Sequence, residues 1–261
     1  MLDIRLIREN PESVAAALKR RGIDGSVIKD VQALDIKRRS LVTETESLKH
    51  ERNRASQEVG KMKQSGQSTE QLQLEIRELG KKISDSESLI RETDETLRQT
   101  LLFIPNIPHV STPDGSDASD NVEVKQWGTR RDFDFQPKTH LELGESLGIF
   151  DFARGAKLTG AGFPLYIGLG ARLERALIQF MLDIHVNEHG YTEVSTPFMC
   201  NTASMTGTGQ LPKMEEDMYS VPEDGLWLIP TAEVPVTNIF RDEIIEPPLP
   251  VYFCAYSPCS R

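Results

Sequence analysis

The sequence predicts an α+β protein in which an N-terminal antiparallel coiled-coil helical hairpin precedes an antiparallel-sheet domain. Three observations carry this. Apolar or small residues recur on a three-four spacing from Val31 to Leu97. The short polar break "KQSGQST" divides that run into two arms. Beyond "FIPNIPHV" the heptads vanish, and short apolar segments alternate with Gly and Pro turns.

The elements follow in order. Asn10-Pro11-Glu12 opens a short helix, with Asn as N-cap, Pro at the first position and an acid in the first turn; Gly22 closes it. A second start lies at Gly25-Ser26. The outgoing arm then carries Val31, Leu34, Leu41, Leu48, Ala55, Val59 and Met62, with gaps in the series at Arg38, Thr45 and Arg52. The returning arm carries Leu72, Ile76, Leu79, Ile83, Ile90 and Leu97. Joined by one short loop, the arms should fold back on each other. An arm from about residue 27 to about residue 64 is ~55 Å long at the helical rise, so it should project. Two prolines in "FIPNIPHV" forbid further helix, and the polar loop "STPDGSDASDN" marks the division between residues 1–110 and 111–261. In the second part, "GARLERALIQFMLDIHVNEHG" reads as a helix with Leu173, Leu177, Phe180, Met181 and Ile184 on one face, ended by Gly190. "YTEVSTP", "DMYSV", "LWLIP" and "VYFCAY" read as strands.

Composition narrows the function classes. The net charge of -10 excludes a generally basic nucleic-acid binder, so any such contact must come from a local patch. The 3 cysteines, Cys200, Cys254 and Cys259, are odd in number and widely spaced, which suits reduced thiols rather than a disulfide framework. "MLDIRLIRENPES" has no apolar stretch of signal-peptide type, and no segment approaches the ~20 apolar residues of a membrane span. The expectation is a soluble, cytoplasmic protein.

Four local features could carry chemistry. The outgoing arm presents Lys37, Arg38, Arg39, Lys49, Arg52, Arg54, Lys61 and Lys63. They read either as a solvated coiled-coil surface or as a basic face for a phosphate backbone, where reach matters more than base reading. Arg38 and Arg52 fall on the seam and should snorkel out of it. "LWLIPTAEVPVTN" sets Thr231-Ala232-Glu233 between two prolines that should hold it extended, so that Thr231 and Glu233 share a face. A hydroxyl and a carboxylate so placed suit a small zwitterion; an exposed turn is the alternative. "MTGTGQLPKMEEDMY" lacks the phosphate-loop pattern and reads as a mobile loop or lid. His185 and His189 have metal-ligand spacing without a surrounding HExxH, which favours a helix-end role. No metal ligand is assigned.

Taken in order, "MLDIRLIRENPE", the hairpin ending in "IPNIPH", "GIFDFARGAKLTGAGFPLY", "HVNEHGYTEVSTPFM", "GTGQLPKMEEDMY", "IPTAEVPVTN" and "PLPVYFCAYSPCSR" resemble the bacterial-type seryl-tRNA synthetases across the whole chain. The resemblance implies a class II aminoacyl-tRNA synthetase with an antiparallel catalytic sheet, a homodimer, and ATP with Mg²⁺. Its substrates would be serine and tRNA(Ser), with tRNA(Sec) also charged. The helix before Gly190 and the strand into Pro197 match motif 1, the family's dimer interface. Thr231, Ala232 and Glu233 match the serine-binding TAE signature. Arg261 matches the motif 2 arginine, which binds the ATP α-phosphate and acts in catalysis. Lys37, Arg38, Arg39, Lys49, Arg52 and Arg54 are the candidate tRNA contacts.

The sequence departs from the family pattern in two ways. Ser260 stands where an aromatic usually precedes that arginine, and the sequence stops at Arg261, before the rest of motif 2 and all of motif 3. The expectation is therefore a truncated enzyme, inactive alone, with residues 1–110 as the tRNA-binding domain and 111–261 as the first part of the catalytic domain. The alternatives are a non-catalytic tRNA-binding coiled-coil protein and a class II relative that loads a carrier protein.

Overall fold

A computed structural model describes residues 1–260, and they form two compact units: Met1–Lys125 and a second from Gln126 onward. No described helix is long and apolar enough to cross a membrane.

The first unit begins with helix α1 (Ile4–Glu9), which the sequence reading missed because six residues are too few to show a period. The Asp3 carboxylate starts it by accepting the Arg5 N–H at 2.8 Å. Helix α2 (Pro11–Lys19) follows. Asn10 occupies its N-cap position but makes no capping hydrogen bond, a correction to the expected cap. Pro11 at the first helical position lacks the N–H that would need a partner. Gly22, at φ +70°, makes the turn that ends this segment. Asp24 then accepts both the Ser26 N–H (3.0 Å) and its hydroxyl (2.8 Å), which opens α3 (Ser26–Gln64). Helix α4 (Glu70–Phe103) returns antiparallel: Arg38 meets Asp94, whereas Thr45, two turns farther along α3, meets Ser86, earlier in α4.

The core of this unit sits at the base of the hairpin. Leu2, just before α1, and Ile7, Val14 and Leu18 from the first two helices close over Ile28 and Val31 of α3 and Leu97, Leu101 and Ile104 at the end of the return. Farther out the seam changes character. Thr45 is 2% exposed, donates to the Leu41 carbonyl at 2.7 Å and lies 2.6 Å from the Ser86 hydroxyl. Arg38 pairs with Asp94 across the hairpin, so one of the two expected snorkelling arginines is held by an acid. Leu41, Leu48, Ala55, Val59 and Met62 remain only partly buried, since each has a single neighbouring helix to cover it.

In the second unit α5 (His140–Ser146) and α6 (Phe152–Thr159) are capped by Thr139 and Asp151, whose side chains accept the Glu142 and Arg154 N–H groups. Helix α7 (Leu169–Asn187) follows, and Gly190 at φ +71° turns the chain into β1 (Thr192–Glu193). Next come β2 (Met199–Asn201), α8 (Thr202–Gly207), β3 (Ser220–Val221), β4 (Leu226–Leu228), α9 (Glu233–Thr237) and β5 (Phe253–Cys254). The three strands in the order β2-β4-β3 are antiparallel, as expected. The β1–β5 pair is parallel, a departure from a wholly antiparallel sheet. The long chain between these two strands supplies the crossover that parallel pairing needs. Cys200, Met205, Leu211, Ile229 and Val234 form this unit's core.

Candidate functional site

The second unit converges on one backbone residue. Ile229, 1% exposed, leaves β4 with its N–H bonded to the Phe198 carbonyl (3.0 Å) and its carbonyl bonded to the Ser260 N–H (2.9 Å). Three segments distant in sequence are thus joined immediately before Pro230 and Thr231. Ser260 is thus anchored through its backbone N–H, whatever its side chain. Arg261, the candidate catalytic and ATP-binding residue, lies outside the described residues.

Thr231, Ala232 and Glu233 do not form an extended face. Ala232 is right-handed helical (φ -60°, ψ -22°) and α9 begins at Glu233. The Thr231 hydroxyl faces the Glu233 N–H at 3.4 Å, and the Thr231 carbonyl accepts the Val234 N–H at 3.3 Å. The extended reading failed because Pro235 falls in the first helical turn, where a missing N–H costs nothing. A threonine beside that turn supplies an acceptor for its free donors. Thr231 and Glu233 therefore sit together around a helix start. Among the described residues, no hydrogen bond or ion pair engages the exposed Glu233 carboxylate.

In the Gly-rich segment, helical as far as Gly207, Met205 is 0% and Leu211 6% exposed, whereas Gly207, Gly209 and Lys213 lie on the surface. A Cβ on Gly207 would meet the Asn238 Oδ1 at 2.9 Å. The Asn238 amide in turn donates to the carbonyls of Ser204 (3.1 Å) and Val234 (2.8 Å), tying α8 to α9. Burial pushes the Cys200 thiol up from its ordinary pKa, with nearby Arg241 opposing the shift, so this cysteine is a core residue rather than a nucleophile. His185 and His189 face each other at the end of α7, Nδ1 to Nδ1 3.1 Å, with Tyr191 edge-on to His185. Among the described residues no group of three potential ligands gathers around a cation site.

On the arm the candidate cations separate. Arg38 is held by Asp94; Lys49 is held by Glu46 (3.1 Å) and Glu87 (3.2 Å), and those hydrogen bonds raise its pKa. Lys37, Arg39 and Arg54 are exposed and Arg52 is partly so. None of these four has an ion-pair partner among the described residues. The sequence reading missed Arg8 and Asp35. The Arg8 guanidinium donates to both oxygens of Asp35 at 2.7 and 2.5 Å, and Asp35 is only 3% exposed. These hydrogen bonds hold the Asp35 carboxyl below the usual carboxylate range. The signal in the sequence was an acid four residues after Val31, on the face that packs inward.

Comparisons with known proteins agree with this architecture. Residues 1–108 match the family described as the seryl-tRNA synthetase N-terminal domain. The chain is 52% identical over 262 aligned positions to a serine–tRNA ligase of Carboxydothermus hydrogenoformans, and 55% identical to one of Desulforamulus reducens. Each alignment covers 100% of this chain and 62% of the relative. Among solved structures, a seryl-tRNA synthetase from Pyrococcus horikoshii complexed with ATP superposes with a TM-score of 0.83 at 34% identity, covering 94% of this chain and 60% of that one. A cytoplasmic serine–tRNA ligase from Naegleria fowleri in complex with AMP shares the fold at a TM-score of 0.80 and 24% identity. The first 108 residues of this protein are thus similar to the seryl-tRNA synthetase N-terminal domain, and the whole chain is similar to serine–tRNA ligases over 62% of their length.

Proposed function

We propose that the protein takes part in the ATP-dependent attachment of serine to tRNA(Ser), with tRNA(Sec) charged by the same chemistry. The observation that carries this is the junction at Ile229, which brings Ser260, the residue before Arg261, beside the segment that opens into Thr231 and Glu233. In this reading the Glu233 carboxylate holds the ammonium of serine and the Thr231 hydroxyl bonds its side chain, with Ala232 between them. Arg261 bridges the serine carboxylate and the ATP α-phosphate. A carboxylate oxygen attacks the α-phosphorus as the bond to pyrophosphate breaks, giving seryl-adenylate. A ribose hydroxyl at the tRNA terminus then takes the seryl group, releasing AMP. Two anions must approach in the first step, and a fork of fixed N–H donors stabilises the charge that builds there. Selection against alanine follows from the hydroxyl site, since a buried polar group left unpaired can reject the smaller analogue by ~10⁴. ATP enters as a substrate. The described acids form no cage for Mg²⁺, so no step is assigned to it.

Two further parts of the reading rest on the surface. Lys37, Arg39, Arg52 and Arg54 make the phosphate contacts to tRNA in this reading, and Arg38 and Lys49, engaged with acids of the hairpin, are the weaker candidates. A second copy of the chain covers α7, where Leu173 (54%), Leu177 (50%), Phe180 (61%) and Met181 (53%) lie exposed on one face. The compartment that goes with this reading is the cytoplasm, where tRNA is charged. A non-catalytic tRNA-binding coiled-coil protein is the weaker reading, because it leaves the similarity beyond residue 108 without a cause.

In a form of the protein as long as its relatives, Glu233→Ala should raise the serine needed for half-maximal ATP–pyrophosphate exchange by at least ~10-fold, from loss of a charge-assisted bond of ~1.5–3 kcal/mol. Unaltered serine dependence would remove Glu233 from the site.

Reversing Lys37 and Arg39 to Glu should weaken tRNA(Ser) binding and lower the slope of log affinity against log salt by about one for each phosphate no longer neutralised. An identical slope would move the RNA to another face.

For the dimer, Phe180→Asp should convert the protein to monomer in sedimentation equilibrium. A variant that sediments as the unaltered dimer would place the interface elsewhere.

A further inference from the structure

We infer that α1 and α2 form a clamp across the base of the hairpin, and that the Arg8–Asp35 fork within it sets the direction in which the arm is presented. The inference rests on reading the arm as a tRNA-binding element. Asp35 lies in the third turn of α3 and is 3% exposed, and a carboxylate so buried is tolerated only with a hydrogen-bonded counter-charge. Arg8 supplies it from the last turn of α1 with a bidentate fork. Helix α1 is too short to be stable alone, so its docking depends on Ile7, fully buried, and on this fork.

The other end of the same two-helix element grips the chain that leaves α4. Arg21 donates to the Asn106 carbonyl at 2.8 Å. Arg20 donates to the Thr112 carbonyl at 2.6 Å and to Asp114 at 2.5 Å. Arginines therefore hold the entry helix and the exit chain from one side each. The apolar cluster between them attracts without direction, whereas planar forks and hydrogen bonds fix an angle. Arg8 is a positioning residue: it touches no RNA phosphate in this reading and acts through α3.

Arg8→Ala alone leaves a buried charge unpaired and puts the fold itself at risk, so the decisive protein is the full 261-residue chain carrying Arg8→Ala with Asp35→Leu. That pair removes the charge together with the fork, and such replacement is commonly neutral for stability. Helix content by circular dichroism should fall by no more than the 6 residues of α1. Amide exchange across Ile4–Glu9 should quicken at least ~10-fold as α1 undocks, with α3 and α4 still protected. Affinity for a tRNA(Ser) transcript should fall about tenfold, as expected when the competent orientation drops to about a tenth of the population. The salt slope should not change, because every phosphate stays neutralised; a direct phosphate ligand, when removed, lowers that slope instead. Unaltered exchange in α1, unaltered affinity, or weaker affinity with a lowered slope would each overturn the inference. Absence of salt-dependent tRNA affinity in the unaltered chain would overturn the arm reading beneath it, and amide exchange, which needs no RNA, tells the two failures apart.

Discussion

The apolar cluster of Leu18, Val31, Leu97 and Ile104 at the base of the hairpin is what the first unit depends on. Two helices of 39 and 34 residues cannot close a dry seam between themselves, because every seam residue has one neighbour and two open flanks. Farther out, the described seam buries Leu79 and Ile83, but also Thr45, Ser86 and Thr93. Buried hydroxyls that satisfy one another hold register more than they add stability. The arm is therefore a rod whose stiffness comes from helical hydrogen bonding and whose attachment comes from the base. That division suits an element required to reach a large partner without folding around it. In the proposed reading, the ion pairs across the hairpin engage Arg38 and Lys49 and leave the other candidate cations to reach phosphate.

The second unit solves a different problem. Its strands are two or three residues long, too short to order a site by ladder pairing alone. Ile229 compensates by bonding in both directions, to Phe198 and to Ser260, while its side chain fills the core with Met205 and Val234. The α8–α9 contact, held by Asn238 and by Arg241 on the Ser204 hydroxyl, fixes the helix that Glu233 opens. Among the described residues the Glu233 carboxylate has no partner, and in the proposed reading this tightly bonded segment meets the ordering cost of serine binding beforehand.

Much of this was legible in the sequence. Long periodic segments and Pro or Gly stops are local signals, so the arms, the turn at Gly66, and the strands in "DMYSV", "LWLIP" and "VYFCAY" appear where the pattern puts them. Signals that depend on tertiary partners failed. The proline-flanked Thr231–Glu233 segment reads as extended until Pro235 is placed inside a first helical turn. Parallel pairing of β1 with β5 carries no local mark, because it depends on a chain segment returning from far away. Asp35 was visible as an acid on an apolar face, yet its partner, 27 residues upstream, was not.

The central claim is that a tRNA-binding arm and a serine-binding segment belong to one ligase. It is tested most directly by supplying radiolabelled serine, ATP and tRNA(Ser) to the protein at the full length of its relatives and measuring label in acid-precipitable RNA. The account predicts serine ester-linked to tRNA(Ser), dependent on ATP, with alanine excluded. Charging with another amino acid, or tRNA binding with no serine transferred, would contradict it.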